Sequence, residues 1–231
     1  MLMYYIMSRK NDKFTLPNHI IPFKNPDKGF QELPTSDLFF MPHSSRIILY
    51  GSPSCGKTTC ILNLCLHQNY DRIIVIHNDN QSKEYENINC EYYDSVPDPN
   101  DEELPLDSSR KTPMIFEDLY YKYLPNQERV WLTFYFTTYS THRSISCYLT
   151  AQDLFHQVPT NIRRCCNVFV IFKNIDMNNM RNICAVLNLD YKDIKFIFEK
   201  YMTNKYDNLI IDLNRPDQKL RKNFTEILPF N

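Results

Sequence analysis

Glycine is scarce in this chain: only Gly29, Gly51 and Gly56 occur in 231 residues, where average usage of about 7% would place roughly sixteen. Two of the three stand five positions apart, in YGSPSCGKTT, so that stretch has to account for them. Long hydrophobic runs are missing too. The longest, such as Arg72–Ile76 and Asn167–Phe172, are strand-length and far short of the roughly 20 residues a membrane-spanning helix needs. The opening MLMYYIMSRKNDK puts an apolar patch before charge and has no small-residue cleavage site, the reverse of a secretory signal. A soluble, intracellular protein is expected. None of the eight cysteines (Cys55, Cys60, Cys65, Cys90, Cys147, Cys165, Cys166, Cys184) forms a C-x-x-C pair, and most lie in apolar periodic segments, which points to reduced, buried thiols rather than disulfides or zinc. A formal net charge of −1 gives no global pull toward nucleic acid or anionic membrane, so any such contact must come from a local basic patch. No internal repeat is visible.

What is present is alternation. Residues 1–43 hold five prolines (Pro17, Pro22, Pro26, Pro34, Pro42) and little periodicity, which predicts an extended N-terminal arm. From Arg46 onward, buried strand-like runs (Arg46–Tyr50, Arg72–His77, Pro113–Phe116, Ser144–Thr150, Asn167–Phe172, Asn208–Leu213) alternate with helix-period segments (Lys57–Gln68, Gln127–Ser140, Met177–Leu187, Tyr191–Met202). That order predicts an α/β fold with a mostly parallel central sheet covered by helices on both faces. The domain occupies residues 44–214 and leaves a basic tail at 215–231; the acidic DPNDEE stretch reads as a solvated loop.

Gly51-Ser52-Pro53-Ser54-Cys55-Gly56-Lys57-Thr58 satisfies G-x-x-x-x-G-K-[ST], between a strand and an amphipathic helix, as a phosphate-binding loop requires. The loop wraps an anion with its own N–H groups, so it needs conformations and close approaches that a Cβ would obstruct. Gly51 through Thr59 are the expected nucleotide-binding residues. Lys57 is placed against the β- and γ-phosphates of ATP, Thr58 holds Mg²⁺, and the following helix directs its N-terminal dipole at the phosphates.

Hydrolysis also needs a carboxylate for the metal shell and a group for the attacking water. Glu117 and Asp118 end an apolar strand, at the crevice where α/β sheets bind ligands. By position Glu117 is assigned to Mg²⁺ through a water and Asp118 to the attacking water, with the reverse order open, as is an N-cap role for Asp118. Gln152 ends the next strand, where an amide can touch both the γ-phosphate and water. Arg163 and Arg164 precede another strand and are candidates for an arginine donated to a neighbouring subunit's γ-phosphate, or for surface contacts with acids or DNA. Arg143 is a further candidate.

The order YGSPSCGKTT, PMIFEDL, STHRSISCYLTAQDLFHQVPTNIRRCCNVFVIFKN and KYDNLIIDLNRPDQKLRKNF resembles the DNA-packaging ATPases of large eukaryotic DNA viruses, in the FtsK/HerA superfamily, over about residues 46–224. The resemblance implies a P-loop ATPase of the additional-strand type that assembles as a homo-oligomeric ring and pumps double-stranded DNA into a preformed capsid. It further implies capsid or portal-vertex partners and a site of action inside the host cell, where virions assemble. Carried over by position, Lys57 and Thr58 are the phosphate and metal residues, Glu117-Asp118 the acidic pair, Gln152 the sensor, and Arg163 or Arg164 the trans-acting arginine. Arg215, Lys219, Arg221 and Lys222 form a local basic patch; either this segment or a pore loop is the expected grip on a DNA backbone, with a solvated tail as the alternative. Two other classes stay in view: a P-loop nucleotide or nucleoside kinase, although no arginine-rich lid segment is found between Gly56 and Asn188, and a nucleotide-binding assembly factor without turnover.

Overall fold

Six buried strands meet side by side because their residues alternate between two apolar faces, each of which needs a cover. The computed structural model describes residues 24–25, 29–30, 41, 44–68, 70–78, 84–86, 88–102, 104, 106, 109–143, 145–173, 175–214, 219–224 and 226–229. Most of the expected arm and Arg215 lie outside the described residues. Within the arm, β1 (Lys24–Asn25) and β2 (Gly29–Phe30) pair antiparallel as a separate two-stranded sheet.

The main sheet is built from β3 (Arg46–Tyr50), β4 (Ile74–His77), β5 (Glu91–Tyr93), β6 (Thr112–Glu117), β7 (Ile145–Ala151), β8 (Val168–Phe172), β9 (Asn208–Asp212), β10 (Leu220–Lys222) and β11 (Glu226–Ile227), in the order β11-β10-β9-β8-β3-β7-β6-β4-β5. β8, β3, β7, β6, β4 and β5 run parallel, and β9, β10 and β11 add antiparallel at one side. β7 lies between the loop-bearing strand β3 and the acidic strand β6, which is the additional-strand arrangement. This is the expected mostly parallel α/β fold with helices on both faces.

On one face, Ile47, Leu49, Val75, Ile115, Tyr148, Val170 and Ile210 pack under α1 (Lys57–His67) through Ile61, Leu64 and Cys65. On the other, Ile48, Met114, Phe116, Leu149, Phe169 and Ile211 receive the remaining helices: α2 (Asn126–Phe134), a π-helical stretch Tyr135–Tyr139 running into α3 (Ser140–His142), α5 (Thr160–Cys165), α6 (Met177–Leu187) and α7 (Tyr191–Tyr201). The short α4 (Leu154–Gln157) sits just after β7.

Three short parts depart from expectation. β5 lies between the expected strands Arg72–His77 and Pro113–Phe116, where no strand is predicted, because its three residues are largely exposed and carry no alternation of apolar side chains. α4 and α5 lie between the expected strands Ser144–Thr150 and Asn167–Phe172, where no element is predicted. β10 and β11 extend the sheet into the stretch read as a basic tail.

That last difference corrects the expected DNA-gripping patch. Arg221 faces Ile210 across the β9–β10 ladder, so the strand's alternation turns it inward. Its guanidinium is fully buried, donates to Asp212 at 2.8 Å and lies over the Phe224 ring at 5.6 Å. Lys222 is 3.3 Å from the Asp207 carboxylate. Arg221 is thus a core residue and is not available to a DNA backbone.

Candidate active site

The three strand ends that matter lie at one edge because β3, β7 and β6 are adjacent and parallel, and α/β sheets place ligand sites at the carboxyl ends of such strands. Gly51 leaves β3 and is tied to its neighbour strand by its N–H, which donates to the Ala151 carbonyl at 3.1 Å. A Cβ at Gly51 would sit 2.6 Å from the Cys55 sulfur and 2.8 Å from Phe172 Cβ, so only glycine lets the loop curl that tightly against β8. The turn continues through Ser54 at φ 57° and Gly56 at φ 103°, a left-handed backbone that glycine adopts without penalty. Pro53 and Ser54 are exposed, Ser52 and Thr59 are half-buried, and Cys55 is buried. Burial pushes the Cys55 thiol up.

Gly56 caps α1 without a side chain, and no acidic residue stands in that helix's first turn. α4, α6 and α7 are instead capped by the Asp153, Asp176 and Asp190 carboxylates. An uncapped first turn leaves N–H groups and the positive end of the helix dipole for an outside anion. Lys57 reaches back across the loop and donates to the carbonyls of Gly51 at 2.9 Å and Ser52 at 3.1 Å. The ammonium is thereby held over the cradle that a phosphate would fill.

The Thr58 hydroxyl donates to one oxygen of Glu117, and the Tyr85 hydroxyl donates to the other at 2.5 Å. Glu117 is 2% exposed. Burial pushes its carboxyl up, and the hydrogen bonds from Thr58 and Tyr85 work against that rise. Asp118, by contrast, is exposed. It turns out of β6 at φ 50°, and its N–H donates to the Thr150 hydroxyl at 2.9 Å. The Gln152 amide donates to the Asp118 carboxylate at 3.4 Å. Behind it, the Gln157 side-chain oxygen accepts from the N–H groups of Gln152 at 2.6 Å and Asp153 at 2.9 Å, which fastens the turn after β7.

The structure therefore brings Lys57, Thr58, Glu117, Asp118 and Gln152 together. It separates the acids by environment: a buried one beside Thr58 and an exposed one beside Gln152. Thr58 and Glu117 offer hard oxygen donors, and among the described residues no group of three or more His, Cys, Asp and Glu could enclose a metal. That donor set fits Mg²⁺, which takes one or two protein oxygens together with substrate phosphates and water.

The arginines lie elsewhere. α5 leads into β8 where the Asn167 N–H donates to the Arg46 carbonyl at 3.0 Å, at the start of β3 and so roughly 15 Å, a strand's length, from Gly51. Arg163 donates to the carbonyl of Val158 and to the Thr160 hydroxyl at 3.0 Å, and stacks over Phe155 at 4.7 Å. It clamps the α4–α5 turn. Arg164 is exposed. Arg143 sits just before β7, over the Tyr139 ring at 5.4 Å. The contacts of Arg143 and Arg163 are to Leu106, Tyr139, Leu154, Phe155, Val158 and Thr160 rather than to the phosphate loop.

Tyr85, Thr150 and Gln157 were not singled out for these contacts. Tyr85 stands in SKEYENINC, which has no periodicity to mark it. Thr150 and Gln157 flank Gln152 in sequence, and that proximity was the available signal.

No protein-family model matches the chain, and no curated protein matches it. Solved structures do. The DNA-packaging ATPase B204 from Sulfolobus Turreted Icosahedral Virus superposes with a TM-score of 0.56 at 17% identity, covering 83% of this chain and 100% of that one. The genome packaging NTPase B204 from Sulfolobus turreted icosahedral virus 2, in complex with ATP-gammaS, gives 0.53 at 17% identity over 83% and 100%. The pCW3 conjugation coupling protein TcpA, with ATPgS, gives 0.54 at 11% identity over 92% of this chain and 69% of that one. The chain shares the P-loop NTPase fold of these viral packaging and conjugation proteins.

Proposed function

We propose that this chain is an Mg²⁺-dependent ATPase that works as a ring-shaped motor and drives double-stranded viral DNA into a preformed capsid. One observation carries the hydrolytic part: the phosphate loop, the Thr58–Glu117 pair and the Asp118–Gln152 pair converge at one sheet edge. The motor part rests on the fold shared with packaging and coupling ATPases.

In this reading the uncapped amides of α1 and the loop bind the phosphates, and Lys57 exchanges its loop carbonyls for phosphate oxygens. Thr58 and Glu117 would hold Mg²⁺, which would neutralise charge on the phosphates. Asp118, exposed to water, takes the proton as water oxygen attacks the γ-phosphorus. The bond from that phosphorus to the β,γ-bridging oxygen breaks, leaving ADP and phosphate. Gln152 orients the water, donating and accepting through one amide. Arg164 of a neighbouring copy supplies transition-state charge, an effect on the order of 10³ to 10⁵ in rate in related chemistry. DNA, a second copy of this chain and a capsid or portal-vertex surface are its proposed partners, and the virion assembly site in the host cell its place of action.

The test is ATP turnover by the purified chain with Mg²⁺, compared with Lys57→Ala. Turnover that disappears in the variant is expected. Absence of turnover in the unaltered chain, under conditions where it binds ATP, would leave an assembly factor and remove the motor.

A further inference from the structure

Glu117 is held from two sides by donors on different elements. Thr58 comes from α1, and Tyr85 from the connection between β4 and β5. A carboxylate with both oxygens engaged cannot rotate freely about its last bond, so each donor sets which oxygen the other meets. Tyr85 is 1% exposed, and a buried phenol needs an acceptor. Its acceptor here is this carboxylate. Its ring stands edge-on to Tyr92 of β5, with centroids 6.3 Å apart and planes at 79°, which fixes the ring from behind. A line of contacts thus runs from the outermost parallel strand through Tyr85 and Glu117 to the start of α1.

We infer that Tyr85 is a positioning residue of the divalent-cation site: its hydroxyl holds Glu117 so that the oxygen beside Thr58 stays turned toward the phosphate loop. The inference rests on reading that loop as an Mg²⁺–nucleotide site. Tyr85 does not touch nucleotide or metal in this scheme. It acts through Glu117, as outer partners of metal-binding groups do, and removal of such partners typically lowers metal affinity 10- to 100-fold.

The experiment uses the full chain, a non-hydrolysable ATP analogue and Mn²⁺ as a spectroscopic substitute for Mg²⁺. Bound Mn²⁺ is followed by electron paramagnetic resonance at 10 °C, and melting curves verify that each variant is folded. Tyr85→Phe should bind the analogue in EDTA as the unaltered chain does, and should bind Mn²⁺ at least about tenfold more weakly in the analogue complex. In a Glu117→Gln background the same substitution should cost nothing further. Unchanged Mn²⁺ affinity in Tyr85→Phe would overturn the inference, as would an additional loss in the double variant, because the tyrosine would then act by another route. If the unaltered chain binds neither analogue nor Mn²⁺, the nucleotide-site reading itself fails. Binding of both, with no effect of Tyr85→Phe, removes only the role of Tyr85.

Discussion

Gly51 shows how a single hydrogen atom decides a site. Gly51→Ala would force a methyl group to within 2.6 Å of the Cys55 sulfur and 2.8 Å of Phe172, and overpacking of that kind costs about 1–3 kcal/mol. The expected outcome is a lowered melting temperature together with loss of nucleotide binding, read by thermal denaturation and by titration with an ATP analogue. The two acids are distinguished in the same way. Asp118→Asn keeps the size of an exposed side chain while removing the proton acceptor, so kcat should fall about 10²- to 10⁴-fold with nucleotide affinity retained. Steady-state kinetics beside equilibrium binding checks the split. The roles proposed for the two acids follow their burial: Glu117 lies against Thr58 and Tyr85, whereas Asp118 opens to water beside Gln152.

At the scale of elements, β3, β4, β6, β7, β8 and β9 were legible because each carries a continuous apolar run between turn signals, and the phosphate loop was legible from its spacing. The two- to three-residue β5, β10 and β11 were not, since so few residues carry no period. Arg221 shows the cost of reading charge without orientation: flanked by Lys219 and Lys222 it resembles a surface patch, while the ladder buries it against Asp212. Arg221→Ala should therefore destabilise the fold by about 3–5 kcal/mol, as breaking a buried ion pair from one side does. Urea denaturation measures this directly. Asp207, just before β9, supplies a pH signature. Burial alone would raise its carboxyl, but hydrogen bonds from the Asn204 N–H and Asn223 amide, with the charge of Lys222, bring it below the usual value. Because the folded state binds its proton more weakly than the unfolded chain, this contribution is full above pH of about 4 and is lost as pH falls through the lower folded value. Melting temperatures from pH 7 to 3 should drop at the acid end, and less steeply in Asp207→Asn.

For the whole molecule, the arginines are the informative residues. Arg163 is occupied by the α4–α5 turn and Arg164 is exposed, so in the proposed ring Arg164 is the candidate to reach a neighbouring copy. Lys57→Ala and Arg164→Ala should each be inactive alone, yet a mixture should regain part of the turnover, because some junctions then pair an intact loop with an intact arginine. A mixture as inactive as its components would confine catalysis to single copies. The DNA cargo of the proposed motor is carried by resemblance alone, and neither the net charge of −1 nor the buried Arg221 adds support for it. Steady-state ATP hydrolysis by the full chain, with and without double-stranded DNA at fixed salt, tests the motor most directly. The account predicts turnover that rises when DNA is added and disappears in Lys57→Ala; turnover indifferent to DNA would contradict it.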